Sequence, residues 1–124
     1  MADERGSRAG VLLIVESDVL LRLVTAASLR EAGFEVLEAA NTAEAMRVLD
    51  SMTIDALISD MNMPGRMDGI ALAKWVRDRG LDTKIILTSA TERSLGEAQE
   101  YASFLAKPYR EDEVERLVRK VLPS

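Results

Sequence analysis

The sequence predicts an α/β fold: a doubly wound parallel sheet of five strands, in the order 2-1-3-4-5, with helices on both faces. Three observations carry that expectation. Short apolar runs alternate with helical patterns five times along 124 residues, enough chain for one domain with a substantial core. The first run, "VLLIV" (11–15), is apolar without interruption, as befits a central strand buried on both faces. Polar residues collect directly after the runs, where open parallel sheets bind their ligands. Right-handed crossovers leave doubly wound sheets as the practical solutions; with strand one central and the order 2-1-3-4-5, the switch point lies between strands one and three.

Residues 1 to 10 are small, charged and punctuated by Gly6, Ser7 and Gly10, the composition of a flexible tail. After the first strand, Asp18 is placed to cap a helix along which Leu20, Leu23, Val24 and Ala27 recur at i, i+3, i+4 and i+7. Gly33 ends that helix, because glycine accepts the left-handed backbone that a helix terminus needs. "FEVLEA" (34–39) is the second strand, and its weaker alternation suits an edge. Asn41 and Glu44 have capping-box spacing, and Thr42, Ala45, Met46 and Leu49 form the inner stripe of the second helix.

"DALIS" (55–59) is the third strand and runs directly into Asp60. The turn-rich loop "MNMPGRMDG" follows, then a helix turning Leu72, Trp75 and Val76 inward. "KIILTS" (84–89) is the fourth strand. "ATERSLGEAQEYA" (90–102) has few large apolar residues and contains Gly96, so any helix there is short or frayed. "SFLA" (103–106) is the fifth strand, ended by Lys107 and Pro108. In the last helix Val114, Leu117, Val118, Val121 and Leu122 share one face.

Composition removes several kinds of chemistry. The chain has no cysteine and no histidine, which excludes disulfides, thiolate nucleophiles, Cys/His zinc sites and imidazole acid–base catalysis. Whatever happens here runs on carboxylates, hydroxyls, lysine and backbone. A net charge of −5 repels a polyphosphate backbone, so direct nucleic-acid binding is not expected. No apolar run approaches the ~20 residues of a membrane span. The start, "MADERGSRAG", has no hydrophobic signal core, so the expected location is cytoplasmic.

On the predicted topology, Glu16, Ser17, Asp18, Asp60, Asn62, Thr88, Ser89 and Lys107 all fall at carboxyl ends of strands. Each alone has an ordinary explanation. Asp18 is a helix cap, Ser89 caps the next segment, Lys107 is a solvated loop lysine, and "MPG" and "DG" are turns. Their gathering on one rim is poorly accounted for by those separate explanations.

The segments "LLIVESD", "LISDMNMPGRMDG", "IILTSA" and "FLAKPY" occur in an order and spacing that resemble the receiver domain of two-component response regulators, from Val11 to Leu122. The resemblance implies a flavodoxin-like (βα)5 three-layer sandwich over residues 11–124, acting as a signalling module and not as an enzyme. It implies that Asp60 accepts a phosphoryl group from a sensor histidine kinase or a phosphotransfer protein. It also implies magnesium held by Glu16, Asp60 and the Asn62 backbone carbonyl, with Ser17 or Asp18 as a further contributor. Lys107 would neutralise the phosphoryl oxygens, with Pro108 after it in the cis form. Ser89 would follow the phosphate and Phe104 would act as the switch aromatic, while Thr88 points away as a structural residue. The expected product is a stand-alone domain that passes its signal to a downstream target protein, with a homodimer through the last helices as a further expectation.

The pattern departs from the family at one position. Two adjacent acids normally follow strand one, and the second binds the metal directly; here that position is Ser17. Loss of even an outer partner costs about 10–100-fold in metal affinity, so a weakened magnesium site is expected. The alternative is a degenerate receiver that binds partners without phosphorylation. An aspartyl-nucleophile phosphohydrolase would need a second acid two residues after Asp60, and Asn62 cannot donate a proton to a leaving group. A nucleotide or flavin site would need a glycine-bearing phosphate loop after strand one, and "ESDVLL" has none.

Overall fold

The computed structural model describes residues 10–65, 67–91 and 94–123. The predicted tail, apart from Gly10, lies outside the described residues. Five strands, β1 (Val11–Val15), β2 (Glu35–Ala39), β3 (Ala56–Asp60), β4 (Lys84–Ser89) and β5 (Ala102–Ala106), form one parallel sheet in the order β2-β1-β3-β4-β5. Four α-helices accompany them: α1 (Val19–Glu31), α2 (Thr42–Ser51), α3 (Gly69–Asp78) and α4 (Glu111–Val121). The predicted architecture is the observed one.

Strand alternation explains why the central runs carry no polar residue. Leu13, Val15, Leu57 and Leu87 point to one face and pack with Ala45, Leu49, Leu72 and Val76 of α2 and α3. Leu12, Ile14, Ile58 and Ile86 point to the other and pack with Ala26, Leu29, Val114 and Val118 of α1 and α4. Both faces are therefore covered, which is why β1 is apolar throughout and β3 and β4 bury polar residues only toward their carboxyl ends. Trp75 is partly buried against the first of these clusters.

Asp18 and Asn41 cap their helices as the sequence suggests: the Asp18 side chain accepts from the Leu21 N–H and the Asn41 side chain from the Glu44 N–H. Asp68, read from the sequence as part of a turn, also caps: its side chain accepts from the Ala71 N–H. Gly33 adopts φ +106°, which lets the chain leave α1 sharply. Between β4 and β5 the weak segment becomes a short 3-10 turn, Gly96–Glu100, anchored by buried Ala98. A full α-helix is absent there among the described residues, because the segment has too few large apolar side chains to hold one against the sheet.

The inward face of α1 corrects the sequence reading. Leu20, Leu23 and Val24 are 71%, 50% and 44% exposed, and Ala27 is exposed as well. The buried arc is instead Thr25, Ala26 and Leu29. This helix carries apolar residues on more than one face, so periodicity alone does not choose between them. Long-range polar contacts make the choice. Arg22 donates to Glu38 Oε1 at 3.3 Å and to the Glu16 carbonyl at 2.8 Å, and Thr25 meets Tyr109 at 3.0 Å. An apolar stripe beginning with Val19, itself 56% exposed, is left facing solvent.

Candidate phosphoacceptor site

The sheet register brings the polar rim to one level. Val15 pairs with Ser59, Asp60 with Thr88, and Ser89 with Ala106, so β1, β3, β4 and β5 end side by side. Glu16 follows β1, Asp60 closes β3, and Lys107 follows β5. Their side chains meet: Lys107 Nζ lies 2.6 Å from Glu16 Oε1 and 3.0 Å from Asp60 Oδ2. Glu16 and Asp60 are 4% and 8% exposed, so two carboxylates share this rim largely out of water. Two buried like charges repel, and the shared ammonium is what makes the arrangement tenable.

The electrostatics of Lys107 agree with that geometry. Burial acts to lower its pKa, but the hydrogen bonds to Glu16 and Asp60 together outweigh burial and raise it above the ordinary 10.5. The group thus gains a partner on folding. Its contribution to stability is complete below its unfolded pKa and is lost only as pH rises through the raised folded value. At neutral pH the Lys107 ammonium is therefore fully charged.

Each remaining oxygen of the pair is also engaged. Asp60 Oδ1 accepts from the Asn62 backbone N–H at 3.0 Å, and Glu16 Oε2 accepts from the Asp18 N–H at 3.1 Å. Ser89 is buried, and its hydroxyl is surrounded: Asn62 Nδ2 donates to it at 3.0 Å, the Thr91 N–H at 3.1 Å, and Thr91 Oγ1 lies 3.2 Å away. Asn62 thereby touches the Asp60 carboxylate with its backbone and Ser89 with its side chain. Thr88 is buried beside Asp60, and its carbonyl accepts from the Met61 N–H at 2.7 Å.

Other sequence-predicted residues lie further out. Ser17 and Asp18 are exposed, and Asp18 has its carboxylate on the first turn of α1. Phe104 is 39% exposed on β5, a surface aromatic and not a core one. The Lys107–Pro108 peptide is cis. Three residues with structural roles in the site escaped the sequence reading. Arg22 holds the Glu16 carbonyl, Thr91 holds Ser89, and Gly69 lies against the backbone of Asp60. The only local signal for Gly69 was its place in "MDG", which reads equally well as an ordinary turn.

The donor set fits a magnesium ion. Glu16 Oε1 and Asp60 Oδ2 converge on a single cationic atom, so a positive charge is already favoured between them. Both are hard carboxylate oxygens, and magnesium is commonly bound through one or two carboxylates with water and phosphate oxygens completing its shell. Among the described residues, no group of three or more acidic side chains lies close enough together to cage a metal. No helix of the described residues is long and apolar enough to cross a membrane.

Comparisons with known proteins identify the family of the chain and support its fold. The chain is 33% identical over 117 residues to the DNA-binding transcriptional regulator NtrC of Escherichia coli K12, covering 91% of this chain and 25% of NtrC. It is 33% identical over 102 residues to the transcriptional regulatory protein PdtaR of Mycobacterium tuberculosis, covering 79% of this chain and 49% of PdtaR. The chain thus spans a quarter to a half of the length of these relatives. Among solved structures, the response regulator TrrA of Thermotoga maritima, in complex with Mg2+ and BeF, superposes with a TM-score of 0.83 at 30% identity, covering 91% of this chain and 99% of TrrA. The chemotaxis protein CheY4 of Vibrio cholerae gives a TM-score of 0.83 at 28% identity, covering 91% and 98%. Residues 12–119 match the model of the response regulator receiver domain, and the chain belongs to that family of two-component signalling modules.

Proposed function

We propose that this chain accepts a phosphoryl group on Asp60 and switches protein–protein interactions in response. The observation that carries the reading is the Lys107 bridge to Glu16 and Asp60 at the carboxyl ends of three strands. Phosphoryl transfer demands little covalent chemistry from a protein beyond a nucleophile, positioning and charge neutralisation. A carboxylate oxygen of Asp60 forms the new O–P bond as the P–N bond of a phosphohistidine donor breaks and the imidazole departs. The Lys107 ammonium stands ready to neutralise the transferred oxygens. Magnesium, held by Glu16, Asp60 and the Asn62 carbonyl, supplies further charge neutralisation when bound.

Ser89 then reports the event. Its hydroxyl is tied to Asn62 and Thr91, and movement toward a phosphoryl group on Asp60 would break those bonds and disturb the loop after β4. Phosphorylation adds about one to two negative charges at the rim, enough to bias a two-state loop. Phe104, exposed on the neighbouring strand, is the aromatic whose setting would follow, and α4 is the surface on which a homodimer would form.

Incubation with a small phosphodonor and magnesium, followed by intact mass, tests the reading. One added phosphoryl group is expected on the wild type and none on Asp60→Asn. Ser17→Asp restores a carboxylate to the position the family uses for direct metal ligation, and is expected to lower the magnesium requirement by about 10–100-fold. The competing reading, binding without phosphorylation, is favoured by exposed Ser17. It wins if the wild type stays unmodified at saturating magnesium while Ser17→Asp becomes labelled.

The donor protein has a surface to use. Leu20, Leu23 and Val24 form an exposed apolar stripe on α1 that starts two residues after Asp18. A kinase or phosphotransfer protein that covers this stripe would bring its phosphohistidine to Asp60. The double substitution Leu20→Glu/Leu23→Glu is expected to slow protein-driven phosphorylation by more than about tenfold, as loss of central apolar contacts does at interfaces. Labelling by a small phosphodonor should be unchanged, since exposed substitutions scarcely affect stability. Equal slowing with both donors would refute the stripe as a docking face.

A further inference from the structure

Lys107 does its work only if its loop holds it over Asp60, and the residues that hold that loop lie outside the site itself. The backbone N–H of Lys107 donates to the Ser89 carbonyl at 2.9 Å, which fixes one end. Two residues on, Tyr109 turns back under the loop and shares a hydrogen bond of 3.0 Å with Thr25 Oγ1, although 84 residues separate the two in the chain. Thr25 is 2% exposed on the buried arc of α1, and the Tyr109 ring packs against the cluster containing Leu12, Ile14 and Ala26.

The hydroxyl is the informative atom. A phenylalanine would fill the same apolar space, so the oxygen serves the contact with Thr25. Burial raises the Tyr109 pKa, so the group is a neutral hydroxyl at physiological pH and competent to hydrogen-bond. The loop between β5 and α4 is thus fastened at Lys107 to β4 through backbone, and two residues later to α1 through the Tyr109 side chain.

We propose that Tyr109 is a positioning residue for Lys107, acting through the hydrogen bond of its hydroxyl to Thr25. The bond makes α1 a second support for the lysine, and the helix that flanks the acceptor pocket then sets the reach of the ammonium. The proposal rests on the reading of Asp60 as acceptor, because positioning matters only if Lys107 serves a reaction there.

Four variants test it: Tyr109→Phe, Thr25→Val, their combination, and Thr25→Ser, which keeps the hydroxyl. Two readouts are paired, phosphorylation of Asp60 by a small phosphodonor and hydrogen exchange of the Lys107 amide measured by NMR against the core amide of Ile58. Tyr109→Phe and Thr25→Val are each expected to slow phosphorylation about tenfold, the scale of a sub-ångström to ångström misplacement. Each should also speed Lys107 exchange several-fold while Ile58 is unchanged. The double variant should be no worse than either single one, and Thr25→Ser should match the wild type.

Retention of wild-type exchange at Lys107 in Tyr109→Phe would overturn the proposal. So would faster exchange at Lys107 and Ile58 alike, which would assign the bond to general stability. If the wild type takes no phosphoryl group, the reading of Asp60 falls by itself, and the exchange data still decide whether Tyr109 holds the loop.

Discussion

Gly69→Ala is expected to destabilise the domain by about 3 kcal/mol, the upper end of the usual range for overpacking. In a chain of 124 residues that corresponds to a fall in Tm of about 10 °C. Gly69 is the first residue of α3, and its N–H donates to the Met61 carbonyl at 3.1 Å. A Cβ built there would lie 2.1 Å from the carbonyl oxygen of Asp60 and 2.8 Å from both the Asp60 carbonyl carbon and Met61 Cα. All three are backbone atoms at the end of β3, so no side chain can swing aside to make room. Alanine has the better helix propensity by about 1 kcal/mol, but that gain is too small to offset a collision of this depth. Either α3 tilts away or Asp60 shifts, and under the proposed function phosphorylation of Asp60 should fall with the Tm. A thermal melt of the variant within 2–3 °C of the wild type (roughly 1 kcal/mol) would show that α3 does not press on the Asp60 backbone.

Lys107→Met is expected to be the second most damaging change, and the one with the most informative rescue. Removal of the ammonium leaves Glu16 and Asp60, 4% and 8% exposed, facing one another without a counter-charge. Breaking a fully buried pair costs about 3–5 kcal/mol, and partial access to solvent at this rim reduces the figure to about 2 kcal/mol. Because the two carboxylates converge on the site a cation would occupy, magnesium should bind the variant more tightly than the wild type, where it must compete with the lysine. Thermal melts with chelator and with rising magnesium give the measurement. The variant should start well below the wild type, and magnesium should raise its Tm by more than it raises that of the wild type. A variant that melts like the wild type in chelator, and ignores magnesium, would mean the carboxylates do not form a common cation site.

The two substitutions probe different depths of legibility. Lys107 was visible as a candidate because a lysine directly after an apolar run, before proline, repeats a pattern that three other segments support. Gly69 was not, because a glycine after an aspartate reads as a turn whatever lies above it. The crowding comes from the carbonyl of Asp60 at the end of the preceding strand, which lies against Gly69 only once α3 is laid on the sheet. Arg22 escaped because its side chain reaches Glu38 on β2, whereas Thr91 sits only two residues after Ser89 and was missed because a threonine in a weakly patterned loop carries no signal of its own.

α1 marks the boundary between local and global information. Its start at Asp18 and its end at Gly33 were readable, because caps and terminators act over a few residues. Its buried face was not. Leu20, Leu23, Val24 and Ala27 have good helical spacing, and so do the residues that turned out to be inside.

By itself, then, the amino-acid order determined the alternation of strands and helices, the double burial of the central strands and the polar rim where they end. Those features come from periodicity, capping and composition, which operate within a turn or two of chain. The tertiary structure alone decided which face of α1 is buried, how closely α3 approaches Asp60, and that one lysine bridges Glu16 and Asp60 from 91 and 47 residues away. Such contacts depend on how whole elements are laid against one another, and no local pattern encodes a distance between residues that far apart.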